Sequence, residues 1–218
     1  MDLTIIVFLL GGLFLGWSLG ANDAANVFGT AVGTRMIRFK TAAIVCGIFV
    51  ILGAVISGAG TTETLGKLGS INALPGAFAA CIAAGLAVYL MTKLGLPVST
   101  TQAIVGAIVG WNIYTGSSTD IQILITIIGT WIFCPIIAGL IAMFLFIITK
   151  KILRYNTMHI LRLDAYTRLA LLLAGAFGAY SLGANNIANV MGVFVPISPF
   201  TDINIMNIFY LSSSGQLF

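Results

Sequence analysis

The sequence predicts an all-α, polytopic transmembrane helical bundle. Three observations carry that prediction: extreme apolarity, apolar runs of membrane-spanning length, and a signature that occurs twice. Of 218 residues 59% are hydrophobic and 7% charged, with a mean hydropathy of +1.09. A water-soluble fold could not hide that much apolar surface. The runs are Leu3 to Leu19, Thr41 to Gly58, Ala73 to Met91, Ala103 to Trp111, Ile121 to Ile148 and Leu169 to Leu182. Most are long enough to cross ~30 Å of hydrocarbon as helix. Glycines sit inside them (Gly11, Gly12, Gly16, Gly47, Gly53, Gly85), which suits close helix packing in lipid.

The first run resembles a secretory signal only in its apolarity. Asp2 stands where a positive n-region belongs, so the segment reads as retained. Arg35, Arg38 and Lys40 follow it, and Lys150, Lys151, Arg154, Arg162 and Arg168 form a second cluster; together they hold eight of the ten basic residues. This placement explains the net charge of +4 without nucleic acid and puts segments 35–40 and 149–168 in the cytoplasm. Glu63 with Lys67, Asp120 and Asp202 then face outside, and the N-terminus starts outside. Residues 72–112 hold two apolar stretches joined by Lys93-Leu94-Gly95-Leu96-Pro97, readable as two spans or as one re-entrant hairpin. Cys46, Cys81 and Cys134 match no metal-ligand spacing and read as core packing; His159 stands alone in a basic loop.

The repeat pairs Trp17-Ser-Leu-Gly-Ala-Asn-Asp-Ala-Ala-Asn-Val-Phe-Gly29 with Tyr180-Ser-Leu-Gly-Ala-Asn-Asn-Ile-Ala-Asn-Val-Met-Gly192, an offset of 163 residues with nine identical positions. By the charge-derived topology the first copy runs inward and the second outward. Inverted repeats of this kind, with helices broken near the midplane, are a recurring transporter architecture. The expected organisation is a first inverted repeat over residues 1–163, containing the hairpin 72–112 and a cytoplasmic loop 149–163, followed by the start of a second repeat over 164–218.

Within the first copy, Asn22, Asp23 and Asn26 follow Gly20 at the end of a long apolar run. A carboxylate there is costly unless it faces a partner or a wet cavity. With amide oxygens and backbone carbonyls freed by a Gly-rich break, it offers a hard oxygen shell suited to Na⁺ or H⁺. The same residues could simply cap a half-helix. A second constellation, Pro97-Val-Ser99-Thr100-Thr101-Gln102, reads as a helix start whose free N–H groups and hydroxyls form a cradle for an oxyanion. An ordinary N-cap is the plainer alternative.

On Gly20-Ala-Asn-Asp-Ala-Ala-Asn26, Gly183-Ala-Asn-Asn-Ile-Ala-Asn189 and the Pro97–Gln102 turn, the chain resembles the inorganic phosphate transporter (PiT) family. The resemblance implies a symporter at the cell membrane that moves phosphate with Na⁺ or H⁺ and needs no other cofactor. It implies phosphate contacts at Ser99, Thr100, Thr101 and Gln102, and cation contacts at Asn22, Asp23 and Asn26, with Asn185, Asn186 and Asn189 as their second-half counterparts. It also favours the re-entrant reading of 72–112. Asn186 departs from the family's frequent Asp. The partner of the Pro97 turn, one offset further on, falls past Phe218, so the chain reads as one inverted half plus the opening of the next, with a homodimer or a complementary second half as candidate partner. A sulfate permease on the same scaffold, or a non-transporting fragment, are the alternatives. An intramembrane hydrolase is not expected, because Ser18 and Ser181 lack a histidine and Asp23 lacks a second aspartate.

Overall fold

The structure is a computed structural model that describes residues 3–58, 62, 65, 67–68, 74–155 and 159–194. Glu63, Asn72, Asp202 and the tail 198–215 lie outside the described residues. Among the described residues the helices are, in order, α1 (Leu3–Gly33), α2 (Phe39–Ser57), α3 (Leu74–Lys93), α4 (Thr100–Thr115), α5 (Ile121–Tyr155) and α6 (Ile160–Met191). Four of the described helices are long and apolar enough to cross a membrane: α2, α3, and the segments Ile6–Gly33 of α1 and Ile121–Arg154 of α5. The bundle is therefore that of a multi-pass membrane protein. α6, with 32 residues, is not among them, because Arg162, Asp164 and Arg168 and then Asn185, Asn186 and Asn189 dilute its apolar middle.

α1 is central, with α3 and α4 on one side and α6 and α2 on the other. α3 runs parallel to α1: Phe8 stacks edge-on against Phe78 at 5.8 Å, Trp17 meets Tyr89 at 5.7 Å, and Asn22 reaches Val98. α3 presents small residues to α1 at helical spacing (Ala77, Cys81, Ala84, Val88), all buried, so the two backbones approach closely. α4 then returns antiparallel, with Trp111 lying over Gly76. The turn between them is specified locally. Gly95 adopts φ +70, where a side chain is disfavoured, while Leu96 N–H closes back on the Met91 carbonyl at 2.9 Å. Pro97 prevents helix from resuming until Ser99. The hairpin tip stops beside Asn22, and α1 continues for ~16 Å beyond it. α3 and α4 thus form a helical hairpin that opens at the end of the bundle where α1 starts and closes beside Asn22.

α6 runs antiparallel to α1. Phe28 lies against Gly175, Val27 against Gly178, Asp23 against Asn186, Val190 against Gly16 and Phe194 against Gly12. Against α2, α6 packs backbone to backbone: a Cβ at Gly53 would collide with the Tyr180 carbonyl and one at Gly183 with the Val50 carbonyl. Ser57 and Tyr180 hydroxyls share a hydrogen bond of 2.6 Å at the same crossing. Arg168 pairs with Asp164 at 2.7 Å and donates to the Met36 carbonyl at 2.9 Å, which places both basic segments at one end of the bundle.

Three expectations need correction. The Gly-rich motifs do not break their helices: α1 runs through Gly20 and α6 through Gly183. A single helical glycine costs only about 1 kcal/mol, and Gly183 is required by packing instead; the break falls at Pro97. The loop expected over 149–163 is mostly helix, since α5 extends to Tyr155 and α6 begins at Ile160, capped by the His159 side chain. Cys46 and Cys81 are buried as expected, but Cys134 is exposed on α5, whose membrane-length segment has no buried residue in its most apolar window. Only Ile123, Leu124, Ile127 and Trp131 at its start pack on the core.

Candidate functional site

Two apolar clusters leave a polar layer between them. One gathers Leu15 with Ala77, Cys81, Ile104, Ile108 and Phe194; the other gathers Phe28, Ala31, Cys46 and Ala179. Asn22 and Asp23 on α1, and Asn186 and Asn189 on α6, fall in the gap, and the hairpin tip enters it. Among the described residues the buried polar side chains are Ser18, Thr100, Asn112, Asn186 and Asn189. Four of the five, all but Asn112, belong to the repeated signature or the Pro97–Gln102 turn singled out in the sequence, as expected when a polar group is tolerated at membrane depth for use.

The layer is one connected network. Asp23 Oδ2 accepts from Asn186 Nδ2 at 2.9 Å and, at the long limit of 3.5 Å, from the Thr100 hydroxyl. Asn186 Oδ1 accepts from Asn189 Nδ2 at 2.8 Å and from Asn185 Nδ2 at 3.5 Å. Asn189 Nδ2 also donates to Thr101 Oγ1 at 3.1 Å, and Asn22 Nδ2 to the Val98 carbonyl at 3.2 Å. Residues from α1, α6 and the hairpin tip, separated by up to 163 positions, are thereby joined. Asn26 stays outside the network, exposed on α1.

At the tip, Ser99 is the N-cap of α4, with extended φ −84 and ψ 115, and its side chain accepts from Gln102 N–H at 3.3 Å. The plain capping role and an exposed hydroxyl thus coexist at Ser99. Gln102 enters the geometry through its backbone and turns its side chain outward. The α4 N-terminus, with its partial positive charge, points at the gap holding Asp23.

Asp23 meets only neutral donors; no basic side chain reaches it among the described residues. Asn189 Oδ1 is buried without a hydrogen-bond partner in the same cluster. A carboxylate and an orphaned amide oxygen fit a small hard cation held by oxygen. No group of three or more His, Cys, Asp or Glu occurs among the described residues, so the donors are amide, hydroxyl and one carboxylate. One participant escaped the sequence reading: the Val98 carbonyl, which carries no side-chain signal.

Residues 19–166 match the phosphate transporter family. Curated proteins provisionally named phosphate permeases are similar to the chain: one from Pyrococcus abyssi is 37% identical over 67% of this chain and 38% of its own length. One from Haemophilus influenzae is 36% identical over 65% and 36%, and one from Chlamydia pneumoniae 33% identical over 89% and 47%. The chain spans less than half the length of these relatives. A solved structure of a sodium-dependent phosphate transporter has a TM-score of 0.71 at 23% identity, covering 97% of this chain and 73% of that one, which establishes the shared fold. With its matched segment running through the first copy of the repeat, the hairpin and α5, the chain belongs to the phosphate transporter family.

Proposed function

We propose that the chain carries inorganic phosphate across the cell membrane by symport with Na⁺ or H⁺. Family membership and the names of its relatives support phosphate as the cargo. The anion is held at the hairpin tip by Ser99, Thr100 and Thr101, with Gln102 supplying backbone. The cation is held by Asp23 with Asn22 and Asn189, while Asn186 orients the Asp23 carboxylate and Asn185 flanks it. The orientation with the N-terminus outside and segments 35–40 and 149–168 in the cytoplasm belongs to the same reading. So do the two inverted repeats, 1–163 and 164–218, to which the antiparallel α1 and α6 lend support.

The observation that carries this reading is the direct link between the two motifs: Thr100 bonds Asp23 and Thr101 bonds Asn189. Such a link gives coupling a physical cause. With the cation absent, the Thr100 hydroxyl is turned toward Asp23. A cation at the carboxylate takes over that oxygen, and the hydroxyl is released to donate to phosphate. Each ligand then favours the arrangement that the other needs. Neutral donors and a helix N-terminus hold a multiply charged anion without the trapping that a fixed arginine would bring.

Uptake of labelled phosphate into proteoliposomes, with Na⁺ and pH gradients imposed separately, tests the proposal. Uptake driven by one gradient and insensitive to sulfate is expected. Sulfate uptake without phosphate uptake points to the sulfate permease, and absence of both to a non-transporting component.

A further inference from the structure

Asp23 and Asn186 occupy the same position in the two copies of the signature, and their side chains touch each other at 2.9 Å. Their separation of 163 residues is the repeat offset itself. The contacts on either side run in mirrored order. Gly16 meets Val190, while Val27, the equivalent of Val190, meets Gly178 beside Ala179, the equivalent of Gly16; Gly12 meets Phe194, and its equivalent Gly175 meets Phe28, one turn from Ala31, the equivalent of Phe194. α1 and α6 are therefore related by an approximate local two-fold axis that passes through the Asp23–Asn186 contact. On such an axis a residue faces its own counterpart. Identical carboxylates would stand oxygen against oxygen, and at that separation they cannot both stay charged without a cation between them.

This chain breaks the symmetry at that one position. The Asn186 amide is oriented by its neighbours: its Oδ1 takes Asn189 Nδ2 at 2.8 Å and Asn185 Nδ2 at 3.5 Å, so its Nδ2 must face Asp23. Turning the amide over would set two NH₂ groups together and an oxygen against the carboxylate. The Asn186 N–H thus fills the place on the axis that a bridging cation would take between two acids.

Resting on the cation-coupled reading above, we infer that Asn186 is a stoichiometry-setting residue: it acts as a built-in substitute for one cation, so that the Asp23 cluster takes a single monovalent cation. The remaining oxygens of that site are the rest of the Asp23 carboxylate and the unpartnered Asn189 Oδ1.

The test is equilibrium binding of radiolabelled Na⁺ at pH 8 to the purified chain in lipid nanodiscs, with melting temperature recorded beside it. Wild type is expected to bind one Na⁺ with a Hill coefficient of about 1, and Asn186→Asp to bind two with a coefficient rising toward 2, because each added carboxylate brings a neutralising cation. The exchanged pair Asp23→Asn with Asn186→Asp keeps one acid and one amide across the axis. It is expected to fold like wild type and to bind one Na⁺ within about tenfold of its affinity, while Asp23→Asn alone binds none. A single Na⁺ bound to Asn186→Asp, or no binding by a folded exchanged pair, overturns the inference and leaves the cation-coupled reading standing. Absence of saturable Na⁺ binding in wild type overturns a Na⁺-coupled reading and the inference with it.

Discussion

Replacing Thr100 by Val removes one hydroxyl from the hairpin tip and little else. In the structure that hydroxyl lies 3.5 Å from Asp23 Oδ2, at the outer limit of a hydrogen bond, so its loss costs the fold less than about 1 kcal/mol. The side chain is 3% exposed and Val fills nearly the same space, so no cavity adds to that cost. With phosphate bound, the same hydroxyl donates to a charged acceptor, an interaction worth about 1.5–3 kcal/mol. At 1.4 kcal/mol per decade the substitution weakens phosphate binding by roughly 10- to 150-fold. Equilibrium binding of labelled phosphate to the purified chain, read beside its melting temperature, separates the two effects. An affinity within about twofold of wild type, in a variant that melts normally, would show that the anion does not sit at Thr100.

Asp23→Asn should leave membrane insertion intact and remove the dependence of phosphate uptake on Na⁺ or pH; retained dependence takes Asp23 out of the cation site. Gly183→Ala forces a Cβ against the Val50 carbonyl and should lower stability by about 1–3 kcal/mol. Its repeat equivalent Gly20 has nothing within 4 Å, so Gly20→Ala should be neutral or stabilising by up to about 1 kcal/mol, and thermal melts of the two variants check the contrast. A cysteine placed at Lys150, in a background lacking Cys46, Cys81 and Cys134, should react with an impermeant thiol reagent only from the cytoplasmic side, and one at Glu63 only from outside.

The site was legible wherever a residue is expensive at membrane depth. Asp23 and the paired asparagines stood out against apolar flanks, and Ser99-Thr100-Thr101 stood out behind Pro97; the structure brings most of these together. Asn26 shared the motif and the spacing but is exposed, because it lies one helical turn past Asn22, where the hairpin tip ends. The helix break was misplaced for a related reason. Glycine in sequence signals a bend and a close approach alike, and Gly183 serves the second, against the α2 backbone.

Composition and periodicity by themselves determined the membrane bundle, the helices and the turn at Pro97, since satisfying a backbone in lipid and stopping a helix at a proline are local matters. The repeat was equally plain, being written in identical residues. What only the tertiary structure decided is which side chains meet. The contact of Asp23 with Asn186 and of Thr101 with Asn189 arises because α1 and α6 cross antiparallel while a hairpin from elsewhere in the chain ends at the crossing. Those distances follow from the packing of small residues across three helices, a property of surfaces that no single stretch of sequence contains.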